Sequence, residues 1–385
     1  MSPRTRRAVL WLSAPIVAFA VGGGFLSKVT AREDTYKYLE VFDDVVNLIT
    51  NQYVEKVDVD KVMAGAMTGL ADSLDPDSAF LTPAQVKQIE SRAALPAGAV
   101  GLDLTRQYYL RVIAARDGSP AAKAGLRTGD YIRAIDGTAT RDMSVFEGMR
   151  LLRGAPGSKV KLTVMRGGVN DPREIELTRE ATQSAEVASR MAAADVGYLR
   201  IAAFSVKTAD AARAQAADLV KRGAAKLIVD VRRVSGGSPE HGLAFARLFV
   251  ANATLAVREA KGAPREPIAA PATAVISVPT TLLVDNGTSG AAELFAAALA
   301  GNKRAELVGE HTLGRAAEQR LIKLPDGTGL WLTTTRYLMP DGSPLHEKGL
   351  EPTVAVAEPD VDFDQAPPAN DPILERALER LAPKA

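Results

Sequence analysis

The sequence predicts a multidomain chain of mixed α/β and α+β class, and three observations carry that prediction. Apolar residues recur at helical spacing up to about Ser91. Short β-type runs between Gly, Pro and Asp turns replace them from Gly98 to Glu180, and strands alternate with helices beyond Val196. The chain therefore divides into an N-terminal helical segment, a small β-rich domain and an α/β core.

At the N-terminus, Arg4, Arg6 and Arg7 precede an uncharged run from Ala8 to Leu26, about long enough to cross a bilayer. A buried core helix fits poorly, because the run contains Gly22, Gly23 and Gly24. Val29-Thr30-Ala31 offers a leader-peptidase site, so residues 1–31 are expected to be a signal peptide or a membrane anchor. Either way the rest of the chain is expected outside the cytoplasm, in a periplasmic or similar compartment.

Residues 32–91 read as helical. Leu39, Phe42, Val45, Val46, Ile49 and Tyr53 form one amphipathic stripe, and Val62, Met63, Ala66, Met67 and Leu70 form a second. The turn Leu74-Asp75-Pro76-Asp77-Ser78 ends the second helix, and Thr82-Pro83-Ala84-Gln85 is a capping box that opens a third. Residues 92–182 form the β-rich domain, with runs at Tyr109–Ala114, Tyr131–Ile135, Lys159–Met165 and Glu174–Leu177 and one helix opened by Ser144 and Glu147. Residues 183–358 alternate: strands at Gly197–Phe204, Lys226–Val231 and Thr281–Asp285, helices at Thr208–Arg222, Pro239–Val250 and Ala291–Leu299. Pro325-Asp326-Gly327 joins a hairpin, and residues 359–385 are an acidic, Pro-rich tail with a terminal helix from Pro372 to Leu381.

Composition narrows the chemistry. In 385 residues, 47 Lys and Arg balance 46 Asp and Glu, and the net charge of +1 lacks the basic surplus that nucleic-acid binding needs. With no cysteine and three histidines, hydrolytic chemistry would have to run on serine, lysine or carboxylates. No metal or other cofactor is implied.

Several motifs resemble those of a known family. Ala99-Val100-Gly101-Leu102-Asp103-Leu104 is similar to the carboxylate-binding loop of a PDZ domain, and Gly118–Asp130 to a stretch common in bacterial PDZ modules. In such a module loop amides cradle a terminal carboxylate while a strand edge pairs with the peptide. The peptide-binding residues are then Val100, Gly101, Leu102, Asp103 and Leu104. With Tyr53-Val54-Glu55, Leu74–Ser78 (where the family usually has His at the Asp77 position), Asp230-Val231-Arg232, Gly309–Gly314 and Gly349–Pro352 in order, the chain from Tyr36 to Val356 resembles the C-terminal processing peptidases, or tail-specific proteases. The resemblance implies a PDZ-like domain and a crotonase-like α/β peptidase core.

It also implies a serine nucleophile at a helix start, a lysine general base and a glutamine. The corresponding run is Gly287-Thr288-Ser289-Gly290-Ala291-Ala292-Glu293, which puts Gly290 at the nucleophile position, Arg315 at the lysine position and the retained Gln319 at the glutamine position. Glycine cannot form an acyl-enzyme, and arginine stays protonated where a lysine base must be neutral. Gly236 and Gly237 match the oxyanion segment, but Val234 stands where the family commonly has asparagine. Ser289 is the alternative nucleophile, with His311 as its base; Lys323 is a weaker alternative, and His241 and His346 read as surface residues. The expectation is a degenerate serine peptidase that binds protein C-termini or extended peptides as a scaffold or regulator for an active relative or an envelope protein. A working serine endopeptidase using Ser289, and a PDZ-like domain that only packs on the core, are the alternatives.

Overall fold

The computed structural model describes residues 36–91, 94–167, 171–181, 186–359, 361–363, 365 and 370–382. The expected signal peptide or anchor lies outside the described residues. Two compact units divide at Met67 and Thr68. The first holds helix α1 (36–52) and the start of α2 (Val59–Asp72), and the apolar side chains of Leu39, Val45 and Leu48 on α1 are exposed. Among the described residues no helix is long and apolar enough to cross a membrane.

In the second unit the turn after α2 leads to β1 (Ala79–Leu81) and α3 (Pro83–Glu90). Thr82 caps α3 as its sequence requires: its hydroxyl accepts from the Gln85 N–H, and the Gln85 side chain accepts from the Thr82 N–H at 2.9 Å.

The β-rich domain is a sheet of order β3-β4-β5-β7-β8, from β3 (Leu102–Gln107), β4 (Tyr109–Ala115), β5 (Tyr131–Ile135), β7 (Lys159–Met165) and β8 (Arg173–Thr178), with β6 (Thr138–Ala139) on β5. The short β2 (Gly98–Ala99) pairs with β9 (Glu180–Ala181), and α4 (Pro120–Lys123) and α5 (Val145–Leu151) complete the domain. Its core gathers Leu102, Leu104, Leu110, Ile132 and Leu162. One sequence expectation changes here. The segment read as a carboxylate-binding loop ends at Gly101, and Leu102, Asp103 and Leu104 belong to strand β3. Leu102 and Leu104 face the core two residues apart, as the period of a strand requires.

The α/β core is built on the sheet β10-β11-β12-β15-β16-β19: β10 (Val187–Ala193), β11 (Val196–Ile201), β12 (Lys226–Asp230), β15 (Thr280–Val284), β16 (Ala305–Gly309) and β19 (Val354–Ala355). The run from β11 to β19 is parallel, and β10 is antiparallel to β11. Both faces are covered, which explains the uninterrupted apolar runs. Leu227, Val229, Leu282 and Val284 pack under α6 (Thr208–Lys221), α7 (Pro239–Ala246) and α8 (Ala291–Gly301), while Ile228, Leu283 and Val308 meet Ile373 and Ala377 of the terminal α9 (Pro372–Leu381). A second sheet, β1-β18-β13-β14 with β17 on β18, comprises β13 (Thr254–Ala260), β14 (Glu266–Ala269), β17 (Ala317–Lys323) and β18 (Gly329–Leu338). The sequence reading missed β13 and β14. Pro267 argues against a strand, but β14 is an edge, where one face of the backbone needs no partner.

Candidate active site

The loops that leave β12 and β15 converge at the carboxyl ends of the parallel strands, where open α/β sheets place their sites. Asp285 organises the second loop. Its Oδ1 accepts from the Arg233 N–H at 2.9 Å and the Gly287 N–H at 3.0 Å, and it lies 3.0 Å from the Thr288 hydroxyl. Burial pushes this carboxyl above its ordinary value, against the Arg233 N–H, which holds it down. Gly287 has no room for a side chain: a Cβ would lie 2.6 Å from the Ile113 carbonyl of β4, so the β-rich domain sits directly on this turn. Further along, the Ser289 N–H donates to the Val234 carbonyl at 3.0 Å and the Gly290 N–H to the Arg315 carbonyl at 3.1 Å.

Gly290 is the N-cap of α8, with φ 59° and ψ −123°, a backbone conformation at the turn from strand to helix that glycine adopts freely and a side chain would strain. A Cβ there would stand 2.9 Å from the Ser235 carbonyl. Ser289 is fully buried, and its Oγ has no hydrogen-bond partner among the described residues. His311 therefore does not hydrogen-bond to it, and its Nε2 lies 3.6 Å from the Glu351 carboxylate. Lys323 pairs with Glu90 at 2.7 Å. His241 and His346 are half-buried rather than surface residues: His241 Nδ1 accepts from the Ser238 N–H and so closes the cap of α7, while His346 Nδ1 is buried without a partner among the described residues.

Arg315 is locked. Its Nε donates to Asp77 Oδ2 at 2.6 Å, Nη2 contacts Asp77 Oδ1, and Nη1 donates to the Leu104 carbonyl of β3 at 3.0 Å. The Asp77 carboxylate is 5% exposed and the Arg315 side chain 26%. A cavity of about 210 Å³ is lined by Asp77, Asp103, Leu104, Met149, Ser235, Gly237, Gly290, Arg315 and Gln319. The structure thus brings together Gly290, Arg315, Gln319, Gly237 and two of the residues expected to bind peptide, Asp103 and Leu104. Ser289, Gly236, Val100, Gly101 and Leu102 do not line that cavity. Gln319 Nε2 donates to Thr333 Oγ1 at 3.1 Å. Gly237, with φ 94°, is needed for close approach, since a Cβ would meet Phe204 at 2.6 Å. Val234 is buried in the core.

Two residues of this site were not singled out from the sequence. Asp77 appeared only as a departure within a turn motif, yet it is the counter-charge of Arg315; two departures of opposite sign, Asp77 and Arg315, were the available signal. Glu293 served only to align the helix. It is fully buried, its carboxylate accepts from the Gly314 and Arg315 N–H groups at 2.7 Å each and from the Thr312 hydroxyl, and it fixes the backbone that presents Arg315. Burial pushes its carboxyl up to about 7, although the Thr312 hydroxyl and the two N–H groups hold it down.

Because the folded protein holds the Glu293 proton more tightly than the unfolded chain, the associated stability is complete below the ordinary value of 4.5 and is lost as pH rises through about 7. The loss is on the order of 3 kcal/mol. Urea denaturation between pH 4.5 and pH 8 should show a fall in stability that is much reduced in Glu293→Gln; equal falls in both proteins would contradict it.

Comparison with known proteins identifies the two domains. Residues 195–356 match the model of peptidase family S41, and residues 111–166 match that of the PDZ domain. The chain is 32% identical over 315 residues to the carboxy-terminal processing protease CtpA of Bacillus subtilis, covering 81% of this chain and 67% of that protein. It is 31% identical over 319 residues to the carboxyl-terminal-processing protease of Synechocystis, covering 81% and 75% respectively. Among solved structures, a photosystem II D1 C-terminal processing protease superposes with a TM-score of 0.69 at 28% identity, over 84% of this chain and 94% of that one. With its PDZ domain packed on an S41 core, the chain belongs to the carboxy-terminal processing protease family.

Proposed function

We propose that this member of the family binds extended or C-terminal peptide segments and does not hydrolyse them. The observation that carries the reading is the pair of residues at the heart of the cavity: Gly290, with no side chain to acylate, and Arg315, a permanent cation bidentate to Asp77. Loss of a serine nucleophile lowers turnover by about a millionfold. An arginine beside a buried carboxylate accepts no proton. Transition-state stabilisation by main-chain donors alone leaves a residual of roughly 10³–10⁴ over water. The burial of Ser289 Oγ, away from the cavity walls, weighs against a relocated nucleophile.

Peptide capture is supported by the terminal position of β3, which leaves one strand edge beside α5, and by the adjoining Val100–Gly101 turn. The role is that of a scaffold or regulator for an active relative or an envelope protein, outside the cytoplasm and tethered or delivered by the N-terminal apolar segment. Titration of short peptides with free C-terminal carboxylates, against C-terminally amidated twins, tests capture. The free carboxylates should bind more tightly and remain intact. Equal binding of both sets argues against carboxylate recognition, and absence of binding in both argues for a domain that only packs on the core.

A further inference from the structure

Strand β3 ends its sheet, with β4 as its neighbour on one side. The β3–β4 register shifts between Asp103 and Leu104, so regular pairing is interrupted where the Leu104 carbonyl emerges. That carbonyl accepts a hydrogen bond from Arg315 Nη1, a charged donor from the peptidase core, at 3.0 Å. The same guanidinium is anchored by two contacts to Asp77, so its position is set by the turn after α2. Leu104 and Met149 of the PDZ domain and Gly290 and Arg315 of the core line a single cavity, so the strand edge and the Gly290 turn face one space.

A peptide that adds to a sheet edge bonds through the main-chain groups of that edge. One of them, the Leu104 carbonyl, is already occupied by a charge-assisted bond, which is stronger than the neutral bond a peptide N–H would offer. We infer that Arg315 is a displaceable cap on the peptide-binding edge of β3, held in place by Asp77, and that the Arg315–Leu104 contact and an added peptide strand exclude one another. The cap rests on the peptide-capture reading above. It gives the arginine a use that a lysine base does not have: it protects an open strand edge and sets a threshold that a peptide must exceed.

The test uses the whole chain and fluorescence anisotropy with short labelled peptides bearing a free carboxylate after an apolar residue. Arg315→Met removes the donors and keeps an unbranched side chain out to the ε position. Asp77→Asn with Arg315→Met removes the buried charge as well, so that a folded uncapped protein is obtained even if the single variant unfolds; thermal melts establish which proteins are folded. The folded uncapped protein should bind about five- to tenfold more tightly than the wild type, the equivalent of one competing hydrogen bond. Equal or weaker binding by the uncapped protein, with the wild type binding, overturns the cap and leaves capture standing. Absence of binding by every folded protein overturns capture and the cap with it.

Discussion

Gly290→Ser combined with Arg315→Lys should still fail to cleave peptides, and adding Asp77→Asn should give the first measurable turnover. The double variant restores the family's nucleophile and base by residue type, but it leaves the base beside an almost fully buried carboxylate. A neighbouring opposite charge favours the ionised form of a lysine, whereas a general base must be neutral. Removing such a neighbour lowers a lysine pKa by about 1–3 units and so raises the neutral fraction roughly 10- to 1,000-fold. The introduced serine adds its own difficulty, because its Cβ meets the Ser235 carbonyl at 2.9 Å and its backbone sits at φ 59°. Turnover of an unstructured substrate by the two variants is the measurement, and NMR titration of the introduced lysine reads the same ordering without turnover. Equal rates and equal lysine titration would remove Asp77 from the account.

The second large effect concerns stability. The Asp230 carboxylate, 1% exposed, takes both Nε and Nη2 of Arg232, lies 2.6 Å from the Tyr198 hydroxyl, and receives Arg200 Nη1 at 3.4 Å. Arg232 in turn forks onto Asp371, the N-cap of α9, at 2.9 and 2.7 Å. Burial alone would push the Asp230 carboxyl up, but Arg232 and Arg200 win and hold it well below the usual range. Asp230→Ala leaves two buried guanidiniums short of a partner and should destabilise the protein by about 3–5 kcal/mol. The pH sense is opposite to that of Glu293. A depressed carboxylate contributes stability above its unfolded value and loses it as pH falls through the folded one. Urea midpoints at neutral pH and near pH 3 should therefore differ more in the wild type than in Asp230→Asn. A near-neutral effect of Asp230→Ala on the midpoint would mean that the network is replaceable surface chemistry.

How much of this was legible in the sequence depends on the distance over which each feature is encoded. The Thr82 cap, the terminal α9 and the hairpin around Pro325-Asp326-Gly327 are local signals, and each lies where its residues placed it. Boundaries shifted where tertiary packing decided: the helix read to Val250 ends at Ala246, and the strand read to Phe204 ends at Ile201. The sequence named Gly290 and Arg315 by position, because the Gly287–Glu293 and Gly309–Gly314 motifs flank them. It was silent on what holds Arg315, since Asp77 lies 238 positions away and Leu104 in another domain. The Asp230–Arg232–Asp371 network escaped for the same reason: no period or spacing announces an ion pair between a central strand and the cap of the last helix.

The most direct test of a retained fold without hydrolysis is a single-turnover experiment. Whole protein in molar excess is incubated with an unstructured peptide bearing a free carboxylate, and the peptide mass is followed by mass spectrometry. The peptide should stay at full length while bound, in the wild type and in Ser289→Ala alike. A shortened peptide that appears with the wild type and disappears with Ser289→Ala would contradict this and identify Ser289 as a working nucleophile.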